Sequence, residues 1–126
     1  MKLPPPTDRE LAILDVLWEH EEATVRTVYE VLRKELPIVQ NTVQAFLRTM
    51  TEKGLVTYRS EGRSFVYRAA VSPETARGSL LERVLQSAYD GAVDRLVEGA
   101  FGLRKPSPEE LARVRRLLDD LEGDPR

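Results

Sequence analysis

The first part of the chain has helical periodicity, because its apolar residues recur three or four positions apart. The first such stretch follows Thr7 and Glu10, a Thr-x-x-Glu pair that satisfies the first amides of a helix reciprocally. Thr24 is placed to cap a second helix, which Pro37 would end. These signals predict two short helices before residue 38.

A third helical stretch begins near Asn41 and ends at Gly54, a residue that readily takes the left-handed conformation of a helix terminus. Asn41 and Gln44 have the spacing of another capping pair, and the alternatives for the first helical residue are Gln40 and Val39. Its apolar side consists of Val43, Phe46, Leu47 and Met50. One face of this helix is therefore predicted to be buried, and the other to remain in solvent.

After Gly54 the apolar residues alternate, which predicts two β-strands joined by a tight turn at Glu61–Gly62. With that turn, the expected cross-strand pairs are Val56 with Tyr67, Tyr58 with Phe65, Thr57 with Val66, and Arg59 with Ser64. Three helices followed by a hairpin are typical of a winged helix, a relative of the helix-turn-helix. A two-stranded hairpin is marginally stable by itself, so it should pack on the helices.

The remainder of the chain predicts further helices, which begin at Ser72–Pro73 and at Ser107–Pro108. Their apolar faces have no large partner within the chain, so we expect two copies to bury them against each other. The predicted dimerisation residues are Leu81, Leu85, Ala88, Val93, Leu96, Val97, Phe101, Leu117 and Leu118. The alternative is a helical appendage that folds back on its own winged helix.

The composition of the 126 residues argues against an enzyme and against a metal or other cofactor. The chain has no cysteine and only one histidine, His20, which is expected at a helix end. No apolar run approaches the ~20 residues of a membrane span, and the amino-terminal residues lack the pattern of a signal peptide. We therefore expect a cytoplasmic protein without membrane insertion of its own.

Positive charge is concentrated on the third helix and the hairpin. Residues 34–71 contain six basic and three acidic side chains, a local net charge of +3, whereas residues 1–33 contain four basic and seven acidic ones, a local −3. Amide, guanidinium and small side chains on the solvent face of the third helix suit a DNA major groove. The predicted DNA-binding residues are Asn41, Thr42, Gln44, Ala45, Arg48, Arg59 and Arg63. An ordinary solvated helix face is the alternative.

Three segments resemble the penicillinase-repressor family, the BlaI/MecI type of bacterial winged-helix repressors. They are "LAILDVLWEH", "NTVQAFLRTMTEKGLV" and "EGRSFVY", and the resemblance extends from about Thr7 to Asp120. It implies a homodimer on a palindromic operator, with the third helix in the major groove and the wing on the backbone. The chain departs from the family at Thr49, where an arginine is frequent, because its arginine is Arg48. Copper sensing through a cysteine-rich terminus is excluded by the absence of cysteine.

The resemblance also implies release by proteolysis, in which a membrane-bound sensor pathway leads to cleavage of the repressor in its dimerisation region. The family's cleaved bond joins an asparagine to a phenylalanine, and the matching bond here is Ala100–Phe101. Gly99 and Gly102 flank it, and glycines weaken a helix and favour extension into a protease cleft. The alternative is that Phe101 simply fills the dimer core.

Together these observations predict a mainly α fold with a small β-hairpin. Residues 1–71 would form a winged helix-turn-helix DNA-binding domain and residues 72–126 a helical dimerisation region. The predicted function is dimeric transcriptional repression, with operator DNA and a second copy as partners. A winged helix that mediates protein–protein interaction without binding DNA is the alternative, and salt-dependent DNA binding distinguishes the two.

Overall fold

The computed structural model describes residues 5–123, which form six helices and three strands. Their bounds are α1 Asp8–His20, β1 Ala23–Thr24, α2 Val25–Leu32, α3 Gln40–Lys53, β2 Val56–Glu61, β3 Ser64–Ala69, α4 Pro73–Tyr89, α5 Val93–Leu103 and α6 Pro108–Gly123. The chain divides into two compact units between Val84 and Leu85, within α4. The predicted domain boundary after Val71 lies just before α4 and remains a prediction.

Several predicted helix ends are confirmed by the hydrogen bonds of the backbone amides. The Glu10 amide donates to the Thr7 hydroxyl at 3.2 Å, and the Thr7 amide donates to the Glu10 carboxylate at 2.9 Å. The Thr24 hydroxyl accepts from the amide of Thr27 at 3.2 Å. Gly54 ends α3 with a φ of 83°, a left-handed conformation that glycine adopts at little cost.

The predicted capping pair at Asn41 and Gln44 is wrong. α3 begins at Gln40, which confirms one of the two alternatives for its first residue, and the capping residue is Val39, whose φ of −109° and ψ of 160° are extended. Val39 has no side-chain oxygen to accept a helix amide, and the helix has no side-chain cap at this end. Asn41 already lies inside the helix, where it cannot act as the capping residue, and its side chain is exposed.

The hairpin belongs to a three-stranded antiparallel sheet with the order β1-β3-β2. The predicted register is wrong by two residues, since Tyr58 pairs with Tyr67 rather than with Phe65. The full set of pairs is Val56 with Ala69, Thr57 with Arg68, Tyr58 with Tyr67, Arg59 with Val66, Ser60 with Phe65, and Glu61 with Ser64. A two-residue error leaves each side chain on its predicted face, because side chains alternate with a period of two.

The turn explains the difference in register. Gly62 and Arg63 lie between the paired residues Glu61 and Ser64, so they are the two turn residues. Gly62 has a φ of 63° and comes first, which is the glycine position of a type II′ hairpin turn. In the predicted turn, Glu61–Gly62, the same glycine occupies the second position, which accounts for the two-residue error in the register.

The first unit has a continuous apolar core. Its side chains come from all three amino-terminal helices and from the sheet, and they include Ile13, Leu14, Leu17, Val28, Val43, Leu47, Met50, Leu55, Val56 and Tyr67. Ala76 of α4 belongs to the same core. The indole nitrogen of Trp18 donates to the carbonyl oxygen of Val71 at 2.9 Å, which ties α1 to the segment that leads into α4.

A buried ion pair connects the beginning of α1 to the end of α3. The ammonium group of Lys53 lies 3.0 and 2.9 Å from the two carboxylate oxygens of Glu10. Glu10 is only 1% exposed, and one of its oxygens also caps α1 through Thr7. A single carboxylate therefore fixes both the start of α1 and the position of the last turn of α3.

The second unit is helical and buries little of its apolar surface. Within the described residues, neither α5 nor α6 contains a buried side chain. Ser107 and Glu110 cap α6 reciprocally, at 3.1 and 2.9 Å. Tyr89 packs against Gly99, where an added Cβ would lie 2.4 Å from the tyrosine hydroxyl. Glycine at position 99 therefore serves close packing between α4 and α5.

A candidate nucleic-acid interface

The two sides of α3 differ as the sequence predicts. Val43, Leu47 and Met50 are completely buried and fix the helix on the core of the first unit. The five predicted DNA-binding residues of α3 are all exposed: Asn41, Thr42, Gln44, Ala45 and Arg48. Its apolar side thus positions α3, while amide, guanidinium and small side chains are presented together on the other side.

The structure also reveals a groove between α3 and the hairpin that the sequence did not predict. Its walls are formed by Gln44, Arg48, Thr51 and Glu52 of α3 and by Tyr58, Phe65 and Tyr67 of the hairpin. The groove joins two of the predicted DNA-binding residues, Gln44 and Arg48, to an aromatic cluster. The alternation of apolar residues along β2 and β3 predicts that these rings share one face of the hairpin. It does not indicate that α3 lies beside that face.

The aromatic cluster extends from the core towards the tip of the hairpin. Tyr67 is buried, whereas Tyr58 and Phe65 are 49% and 47% exposed. The ring centroid of Tyr58 lies 4.7 Å from that of Phe65 and 5.6 Å from that of Tyr67. Burial raises the pKa of the Tyr67 hydroxyl, Tyr58 raises it further, and Arg48 opposes the change. Tyr67 therefore stays protonated at neutral pH.

Arg59 is separated from these residues. It pairs with Val66 on the sheet face opposite to that of Tyr58 and Tyr67, so the structure does not bring it to the groove. Its guanidinium donates to Glu22 at 2.7 Å and also to Glu61. The hydrogen bonds to Glu61 and Glu22 raise the pKa of Arg59. To bind a phosphate, Arg59 would first have to release its hydrogen bond to at least one of these two carboxylates.

The remaining charges near α3 are also distributed unequally. Lys53 counts towards the predicted positive charge, but its ammonium group is held by Glu10. Within residues 5–123, Arg48 and Arg63 have no ion-pair partner, and Arg63 occupies the exposed tip of the hairpin. Two of the six basic residues between 34 and 71 are thus internally neutralised. The other four are Arg48 on α3, Arg63 at the tip, Arg68 in β3 and Lys34 between α2 and α3.

The family follows from comparison with known proteins. A family model described as Penicillinase repressor matches residues 6–120. This chain belongs to the penicillinase repressor family. The penicillinase repressor of Bacillus licheniformis is 25% identical over 119 residues, which cover 94% of this chain and 93% of the relative. The resemblance noted in the sequence is therefore confirmed, and the family consists of transcriptional repressors rather than enzymes.

Two solved structures resemble part of this chain. The solution structure of the DNA-binding domain of the repressor BlaI shares 30% identity and a TM-score of 0.53, over 60% of this chain and 93% of that one. The Bacillus licheniformis BlaI monomeric form in complex with the blaP half-operator shares 30% identity and a TM-score of 0.52, over 59% and 90%. The predicted winged-helix fold is thereby confirmed.

The predicted cleavage bond of the repressor lies inside a helix. Ala100 and Phe101 are both exposed and belong to α5, which continues through Gly99 and Gly102 to Leu103. The two glycines therefore do not interrupt the helix in the intact chain, and cleavage at this bond remains a prediction. Close packing against Tyr89 instead explains the glycine at position 99, because a Cβ there would meet the tyrosine ring.

The nine predicted dimerisation residues are all at least partly exposed in the single chain. Val93 and Leu117 are more than half exposed, and Leu85 and Leu96 are intermediate. Their apolar atoms therefore remain available for contact with another surface. None of the described helices has both the length and the apolar character needed to cross a membrane.

Proposed function

We propose that this repressor binds a two-fold operator as a dimer, with α3 in the major groove and the hairpin tip on the phosphate backbone. The observation that carries the proposal is the division of α3 into an apolar side, where Val43, Leu47 and Met50 are completely buried, and an exposed side with hydrogen-bonding groups. A helix held in this way can enter a major groove without exposing its core. The half-operator complex of the BlaI relative supports the assignment of DNA as the partner.

The exposed groups of α3 suit the readout of bases. Gln44 and Asn41 can each form two hydrogen bonds with adenine, and Arg48 can bind guanine in the same way. Thr42 and Ala45 are small enough to allow a close approach. Arg63 is proposed to bind phosphate, and Arg59 would join it only after releasing Glu22 or Glu61.

Two substitutions test these roles. We expect Gln44→Ala to lose roughly 1–3 kcal/mol of discrimination between operator and random DNA, because a base contact is removed. Arg63→Ala should weaken binding to both DNAs about equally and reduce the salt dependence by about one phosphate contact. Binding is measured by fluorescence anisotropy at several salt concentrations.

The operator itself is found by footprinting on the DNA upstream of the repressor's own gene. Equal losses on both DNAs for Gln44→Ala would refute its role as a base reader. A protein that shows no salt-dependent binding to its promoter DNA would contradict the proposal and favour a protein-interaction module.

The dimer is proposed to form through the carboxyl-terminal helices. Supporting this, α5 and α6 bury no side chain within the chain, although both have regular apolar faces. A second copy would cover these faces and give the protein the same two-fold symmetry as a palindromic operator. In this proposal residues 72–126 form the dimerisation region and residues 1–71 the DNA-binding domain.

Release from DNA is proposed to occur by cleavage of the Ala100–Phe101 bond in the cytoplasm, through a membrane-bound sensor pathway. The bond lies in a helix, so a protease must unwind α5 first. That unwinding should be inexpensive, because α5 has no buried residue and no side-chain hydrogen bond at its N-cap, Ala92. Mass spectrometry of the repressor from induced cells should show a fragment ending at Ala100. An intact chain during full induction would exclude this mechanism.

A further inference from the structure

The groove between α3 and the hairpin contains an exposed aromatic pair that the proposed function does not use. Val56 and Tyr67 point to the core at the base of the hairpin, and the same sheet face continues to Tyr58 and Phe65 nearer the tip. Both of these rings are about half exposed, although their centroids lie only 4.7 Å apart, with the ring planes tilted by 49°. Aromatic side chains bury a large apolar area when a partner covers them.

The position of the pair indicates what covers it. Gln44 and Arg48, two of the proposed base readers on α3, line the same groove as Tyr58 and Phe65. A DNA strand that lies against the exposed side of α3 would therefore reach the aromatic rings as well. The groove is continuous with the proposed DNA-binding surface.

The charges around the groove indicate the kind of contact. Arg48 and Glu52 contribute one charge of each sign to its walls. The nearest wing arginine in sequence, Arg59, lies on the other face of the sheet and is held by Glu22 and Glu61. Because the groove walls have no excess of positive charge, the aromatic pair would add an apolar contact with DNA rather than an ionic one.

We propose that Tyr58 and Phe65 contact operator DNA directly, with their rings against apolar C–H groups of the strand next to α3. Such groups belong either to deoxyribose or to the methyl group of thymine, which is the apolar feature of the major groove. This inference rests on the proposed function, and it adds an apolar contact to the polar contacts of α3 and the ionic contact of Arg63.

The test compares operator affinity at several salt concentrations. We expect Phe65→Ala to weaken operator binding roughly tenfold, because the variant lacks the exposed half of the ring that DNA would otherwise cover. The salt dependence should not change, because no phosphate contact is lost. Phe65→Leu should retain most of the affinity, since it keeps much of the apolar area. Leu103→Ala is the matched control, because Leu103 is exposed and lies outside both the groove and the predicted dimer contacts.

Operators with uracil in place of thymine identify the DNA group without altering the protein. If thymine methyls are the contact, uracil weakens binding of the unsubstituted repressor but not of Phe65→Ala. If deoxyribose is the contact, uracil has no effect and Phe65→Ala still loses affinity. Both results support the proposal, provided that circular dichroism shows an unchanged fold for the variant.

Three results would overturn it. Unchanged operator affinity of Phe65→Ala would mean that another kind of partner, such as a protein, covers the pair. A reduced salt dependence would mean that the substitution acts by displacing Arg63. Failure of the unsubstituted repressor to bind any operator would refute the proposed function and this inference together, whereas the first two results leave the proposed function intact.

Discussion

The two compact units have equally regular apolar periodicity, but they bury very different amounts of apolar surface. In the first unit Leu14, Leu47 and Met50 are completely inaccessible to solvent. In the second unit Leu117 and Leu121 of α6 are 58% and 66% exposed, and no residue of α5 or α6 is buried. Periodicity therefore predicts which face of a helix is apolar, but it does not show whether that face is buried by residues of the same chain.

The largest loss of stability is expected when a substitution creates a cavity in the buried core of the first unit. Leu47→Ala should lower the free energy of unfolding of the first unit by about 2–5 kcal/mol, because Leu47 is fully buried among close-packed neighbours. Urea unfolding followed by the fluorescence of Trp18, the single tryptophan, measures this unit.

Leu118→Ala, in α6 of the second unit, is the variant to compare with Leu47→Ala. It should leave the Trp18 transition nearly unchanged and weaken self-association instead, because Leu118 is half exposed in the single chain. An equal loss of stability in the two variants, at every protein concentration, would show that α6 is covered within its own chain.

A somewhat smaller loss is expected when the buried ion pair of the first unit is broken. Lys53→Met leaves the carboxylate of Glu10 buried without its cation and should cost about 3 kcal/mol, the lower end of the usual range because Lys53 is partly exposed. The same fluorescence transition measures it.

Arg26→Met provides a control for the loss of one cation, since the pair of Arg26 with Glu30 is largely exposed and should contribute less than about 1 kcal/mol. If the two variants were equally stable, the Glu10–Lys53 pair would not hold α1 and α3 together.

The smallest effect is expected at the start of α6. Ser107→Ala removes a helix cap and should cost about 1 kcal/mol, measured by the thermal loss of circular dichroism. Glu110 adds a pH dependence, because its hydrogen bonds with Ser107 lower the pKa of its carboxyl group. A lowered folded-state pKa stabilises the protein above the unfolded-state value, near 4.5, and this contribution is lost as the pH falls further.

The Ser107→Ala variant should therefore lose part of the acid sensitivity of α6. Glu109→Gln is the control, because Glu109 makes no hydrogen bond to Ser107. A pH profile that changes with Glu109→Gln but not with Ser107→Ala would contradict the role of this cap.

Local signals predicted much of the fold. The capping pair Thr7–Glu10, the cap at Thr24 and the left-handed Gly54 act within a few residues, so the sequence contains all of the information needed. Strand β1 was missed because two residues are too few to show alternation. The hairpin register was missed because it depends on which turn position Gly62 occupies.

The candidate site was predicted only in part, because some of its features join distant segments. The exposed side of α3 follows from helical periodicity. In contrast, the pair of Arg59 with Glu22 spans 37 residues, and that of Lys53 with Glu10 spans 43. A count of charges along the sequence therefore assigned to the DNA-binding surface two cations that the fold neutralises. The aromatic groove likewise exists only once the hairpin is packed beside α3.

The most direct test of the account is the mass of the repressor in solution. Sedimentation equilibrium of the intact chain should give twice the chain mass of 14.3 kDa. A chain ending at Val84 should sediment as a monomer while Trp18 keeps its native fluorescence, because the first unit has its own core. An intact chain that stays at 14.3 kDa, or a shortened chain that still dimerises, would contradict the claim that the carboxyl-terminal helices bury their apolar faces against a second copy.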